Sequence, residues 1–170
     1  MSPSSQDALL IKFHSTLEEM TKGYQQFMSI LQKEKSLIIE GNREELVTCL
    51  LQKEGAISHL NGLESKREAE MEEIGCALGL TSRPLTFGML IEAVREPFKS
   101  NFISCKAGLE ALTASMIEVN EINGLLVERT LRKITDLIGL LNQISMVPIT
   151  YSSNGMANSF PVKGKSLVRT

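Results

Sequence analysis

Residues 10–38 read LIKFHSTLEEMTKGYQQFMSILQKEKSLI, with apolar side chains at Leu10, Phe13, Leu17, Met20, Tyr24, Phe27, Leu31 and, past the polar Glu34, Ile38. Steps that alternate between three and four over about four heptads put these side chains on one face of a long helix with a narrow seam. Gly41-Asn42 interrupts the pattern, and Arg43-Glu44-Glu45 then sets carboxylates where a helix N-terminus favours negative charge. So short a link turns the next helix back antiparallel to the first.

The second helix carries Leu46, Leu50, Ile57, Leu60, Met71, Ile74 and Leu78 on a similar repeat, with Lys53, Glu64 and Arg67 on seam positions in its middle. Val47, Leu51 and Leu63 widen its apolar stripe, which suits contact with more than one neighbour. Gly79 and Ser82-Arg83-Pro84 read as a loop, Thr86 as the cap of a short helix, and Pro97 as the first turn of a long one. In that last helix Phe98, Phe102, Cys105, Leu109, Leu112, Met116, Val119, Asn123 and Leu126 keep the heptad. After a small phase shift, Ile134, Leu137, Ile138, Leu141 and Ile144 continue it. The expectation is an all-α protein: an elongated antiparallel three-helix bundle or coiled coil over residues 1–146, with helices at about 5–40, 43–78, a short one at 86–94, and 97–145. Residues 147–170, rich in Ser, Asn and Gly, read as a flexible tail that is locally basic through Lys163, Lys165 and Arg169.

At 42% apolar but only 5% aromatic, with no Trp, the chain has a core of Leu, Ile, Val and Met. A net charge of -2 with interspersed signs gives no footprint for nucleic acid. No apolar run approaches the roughly 20 residues of a membrane span, and the start lacks the order of a signal peptide, so a cytoplasmic protein is expected. Cys49, Cys76 and Cys105 are far apart and read as reduced thiols, with no metal site and no cofactor implied. Adjacent carboxylates such as Glu18-Glu19, Glu44-Glu45 and Glu72-Glu73 splay apart on a helix, so no acid–base pair converges and the chain does not read as an enzyme. His59 has a faint likeness to a phosphotransfer histidine but no Lys shortly after it to offset phosphate charge. It reads, like His14, as an ordinary surface residue.

Asn120, Asn123 and Gly124 break the rule of a packed helix, since Asn and Gly both disfavour helix interiors. Two readings stay open. One is a polar residue that sets register on the seam, with Gly permitting close helix approach. The other is a notch for a partner's backbone, flanked by the apolar anchors Met116, Leu125 and Leu126. Tyr151 is an aromatic with no core around it, the residue type favoured as an interface anchor.

The run Asn120-x-x-Asn123-Gly124-x-Leu126-Val-Glu, followed after a Leu-rich helical stretch by Thr150-Tyr151-x-x-x-Gly155, resembles the FlgN family of flagellar export chaperones. Gln32-Lys-Glu-Lys35, the Gly41-Asn42 break, Leu46, Lys53-Glu54 and Leu60 through Leu63-Glu64-x-x-Arg67 extend the resemblance over nearly the whole chain. It implies a protein that binds hook-associated proteins of the hook–filament junction and delivers them to the type III export gate. It further implies that the last helix and the tail contact the client's C-terminal segment, with Asn120, Asn123 and Gly124 among the functional residues. Tyr151 and Gly155 would dock on the cytoplasmic domain of the gate. A structural coiled-coil scaffold is the alternative, and the regular heptads are also compatible with a homodimer.

Overall fold

The computed structural model describes residues 5–80 and 85–145. The expected loop Ser82-Arg83-Pro84 and the expected tail, with Tyr151 and Gly155, lie outside the described residues. The described residues form helices and no strand: α1 Ser5–Glu40, α2 Arg43–Ala77, the short α3 Phe87–Ala93 and α4 Phe98–Ser145. The all-α bundle of three long helices and one short one is therefore the fold. The chain divides into two compact units, Met1–Glu128 and Arg129–Thr170.

In the first unit α1 and α2 are antiparallel because the link between them is two residues long. Gly41 takes φ 71°, a left-handed conformation that terminates α1, and the backbone N–H of Asn42 donates to Leu37 O at 3.1 Å. Asn42 then caps α2, its side chain accepting from Glu45 N at 3.2 Å and donating to Glu45 Oε1 at 3.0 Å. Pairing marches backward on α2 as α1 advances. Lys12 reaches Glu73 at 3.3 Å, Glu19 accepts from Lys66 at 2.9 Å, and Glu34 accepts from Lys53 at 2.9 Å. The helices approach closely at Gly23, where an added Cβ would stand 2.9 Å from Leu60 Cδ2.

The seam of α1 is buried at Leu10, Phe13, Leu17, Met20 and Leu31 as its spacing predicts, while Tyr24, Phe27 and Ile38 are half-buried and Leu37 takes the inward place expected of Ile38. On α2 the reading is off by one position in its first half. Leu50 and Ile57 are each 42% exposed, while Cys49 is fully buried and Lys53 and Ala56 are half-buried. The inward series Cys49, Lys53, Ala56, Leu60, Leu63 keeps the heptad but uses small and charged residues, so the more apolar flank drew the eye. Glu70 is also buried, with no hydrogen bond to either carboxylate oxygen and Lys12 Nζ at 3.7 Å.

Aromatics join α3 and α4 to α1. Phe13 meets Phe102 edge-on at 5.4 Å and Phe87 at 5.7 Å, and Phe98 lies 6.1 Å from Phe102. Thr86 caps α3, accepting from Met89 N at 3.3 Å as its position predicts. At the start of α4 the carboxylate of Glu96 accepts from Ser100 N and Ser100 Oγ, supplying the missing cap after Pro97. Glu34 and Asn123 meet at an offset of 89 residues, which is also the offset of Phe13 and Phe102, so α4 runs parallel to α1 in one constant register.

Two glycines of opposite kind test this account. Replacing Gly41 by Ala forces a side chain into the left-handed region and lowers unfolding free energy by about 1 kcal/mol. Replacing Gly55, which is exposed within α2 and has open space about it, by Ala raises it by about 0.5–1 kcal/mol. Urea unfolding followed by helical circular dichroism reads both.

Candidate functional site

The helix rule broken at Asn120, Asn123 and Gly124 resolves into a buried polar contact among three helices. Asn123 is 2% exposed, and its Nδ2 donates both to Leu31 O at 2.9 Å and to Glu34 Oε2 at 2.8 Å. Glu34, itself 6% exposed, accepts from Lys53 Nζ at 3.1 and 2.9 Å, and Lys53 donates onward to Asn120 Oδ1 at 2.9 Å. One carboxylate from α1, one ammonium from α2 and two amides from α4 thus satisfy one another. Asn123 Oδ1 alone receives no hydrogen bond. Removing a carboxylate and an ammonium from water is costly, and such contacts are retained where they select one helix register over its neighbours.

The six residues expected to bind a client are therefore not one surface. Met116 and Asn123 are buried and hold α4 in place, and Leu126 is half-buried. Asn120, Gly124 and Leu125 are exposed. A Cβ on Gly124 would meet nothing within 4 Å among the described residues, so none of their helices approaches there and the close-approach reading finds no neighbour among them.

A groove of about 450 Å³, floored by Leu17, Met20, Tyr24 and Leu109, opens beside the Glu64–Arg67 pair. Arg67 Nε donates to Glu64 Oε2 at 2.9 Å, and this hydrogen bond holds the Glu64 carboxyl below its ordinary range. Burial pushes the Tyr24 hydroxyl up, with the Glu64 charge adding to it. Both groups keep their usual charge states at neutral pH. Sequence reasoning missed this groove because its walls come from four separate elements and no local pattern marks it.

Reactive chemistry has little to work with. Among the described residues no group of His, Cys, Asp and Glu could hold a metal ion. Burial raises the Cys49 and Cys105 thiols, which suppresses their thiolate forms. His59 is exposed, and no helix among the described residues is long and apolar enough to cross a membrane.

The second unit has a different character. Along α4 from Arg129, Leu131 is 59% exposed, Ile134 38%, Leu137 59%, Ile138 52% and Leu141 62%. Steps of three and four place them on one face of the helix, the continuation of the predicted heptad, here covered by nothing among the described residues. A row of large exposed apolar side chains on one helix face is the surface geometry of the helix-in-groove mode of recognition.

The family model described as FlgN protein matches residues 1–159. No curated protein sequence and no solved structure matches the chain.

The polar contact makes a distinct forecast. Asn123→Ala removes two hydrogen bonds and leaves Glu34 less satisfied, so unfolding free energy falls by about 2 kcal/mol. Replacing Glu34, Lys53 and Asn123 together by Leu restores stability to within about 1 kcal/mol while loosening register. Denaturant titration reads the first effect and multiplied amide resonances in NMR the second.

Proposed function

The chain belongs to the FlgN family of flagellar export chaperones, and on that premise we propose that it binds the C-terminal segment of a hook–filament junction protein and delivers it to the type III export gate. One observation carries the reading. Leu131, Ile134, Leu137, Ile138 and Leu141 present an exposed apolar row on a helix whose remaining surface is polar apart from Gly139 and the exposed Leu140. A client helix that cannot bury its own amphipathic face lays that face along this row, and each partner hides surface that would otherwise aggregate. The ordering of the client costs conformational entropy, which keeps affinity moderate and release feasible without nucleotide.

Within the first unit, Asn120, Gly124 and Leu125 are the accessible members of the expected client set, while Met116, Asn123 and Leu126 act by fixing α4. Tyr151 and Gly155 are proposed as the gate-docking element, separate from the client row. A scaffold would use the same row to pair with another copy of the chain, and sedimentation of the protein without client separates the two readings, since a scaffold assembles stoichiometrically by itself.

Titration calorimetry with a client C-terminal peptide tests the reading. Leu131→Asp together with Leu137→Asp weakens client binding about tenfold or more without changing helical content. Tyr151→Ala leaves client binding intact and weakens capture by the gate's cytoplasmic domain. Unchanged client affinity in the double variant, or equal loss of both interactions in Tyr151→Ala, overturns the respective assignment.

A further inference from the structure

We infer that the helix received by the exposed row of α4 is acidic along one edge, a property that rests on the client reading and narrows it to a class of segment. Six of the 18 Lys and Arg residues lie from Arg129 onward, against one of the 20 Asp and Glu residues. The second unit is therefore basic, while the first carries nearly all of the acid.

The basic charge has a defined place on the helix. Arg129, Lys133, Asp136 and Leu140 follow one another at steps of four, three and four, so the border of the row beside Leu137 carries two cations, one carboxylate and one exposed leucine, with the cations at its N-terminal end. Thr135 and Asn142 occupy the opposite border and are uncharged. No ion pair of Arg129 or Lys133 with a carboxylate occurs among the described residues, and both side chains are exposed. A helix that seats its apolar face on Ile134 and Leu137 thus brings one edge against two cations and the single carboxylate of Asp136, a net positive border, and the other against the neutral Thr135 and Asn142. Asp or Glu on that first edge gains attraction, and Lys or Arg is repelled.

The same charges weigh against two other occupants. A second copy of the chain paired antiparallel brings the same basic edge, so like meets like, and paired parallel it offers only the neutral edge of Thr135 and Asn142. An anionic lipid surface matches the cations, but the three of them on this stretch, Arg129, Arg132 and Lys133, fall short of the roughly four to eight that a lipid-binding basic cluster carries. An acidic-edged helix is the occupant that both the apolar row and the border charges favour.

The test uses the full-length protein and four probes. These are a client C-terminal peptide, two designed amphipathic peptides with the same Leu and Ile positions and either Glu or Lys along one edge, and phosphatidylserine vesicles. The Glu peptide is expected to bind about fivefold or more tighter than the Lys peptide, with the gap shrinking at high salt. Arg129→Glu with Lys133→Glu, at exposed positions and with helical content checked by circular dichroism, inverts the preference. Equal binding of the two designed peptides, or a preference that the double variant does not change, overturns the inference while continued binding of the client peptide leaves the proposed function standing. If the Leu131→Asp/Leu137→Asp variant still binds the client peptide fully, the row itself is not the client site. Binding to vesicles with none to the Glu peptide assigns the edge to a lipid surface and overturns the acidic-helix inference.

Discussion

The contact on which the rest depends is the one that Glu34 makes with Asn123 and Lys53. It is a carboxylate almost fully removed from water, satisfied from one side by α2 and from the other by α4. An apolar seam tolerates a helix sliding by a turn, because one Leu replaces another at little cost. A buried carboxylate does not, since a slip leaves it with no donor at all. The aromatic group of Phe13, Phe87, Phe98 and Phe102 supplies area and packing, and the polar group supplies register.

Much of this was legible in the residues, unevenly and for physical reasons. The seam of α1 could be read because most of its inward positions are apolar, with Glu34 as the flagged exception, although Thr16 is buried too and Ile11 and Ile39 face outward. On α2 both faces carry apolar residues, and the inward ones include Cys49, Lys53 and Ala56, so hydrophobicity pointed to Leu50 and Ile57 instead. Caps at Asn42 and Thr86 are local chemistry and were accessible from neighbouring residues alone. What spacing along one helix does not reveal is which polar exceptions find each other. Glu34, Lys53 and Asn123 each stood out, yet their convergence belongs to the three-helix packing.

The candidate site divides in the same way. Asn123 reads as a functional residue by type and emerges as a structural one by burial, which also removes Met116 from any accessible surface. The exposed row from Leu131 to Leu141 was visible as continued periodicity. Its lack of cover was not, because the sequence pattern of a buried seam and of an open one is the same.

The common register of α1 and α4 also bears on how the family's chain lengths can drift. Three heptads separate Phe13 from Glu34, and three heptads separate Phe102 from Asn123. A one-residue insertion between those points in either helix swings the far contact by about 100° around the axis, out of its partner's reach. This stretch can therefore lengthen or shorten only by whole heptads matched in α1, α4 and the part of α2 paired with them. The segment between α2 and α4 carries no such ruler and is where single-residue gain and loss should gather.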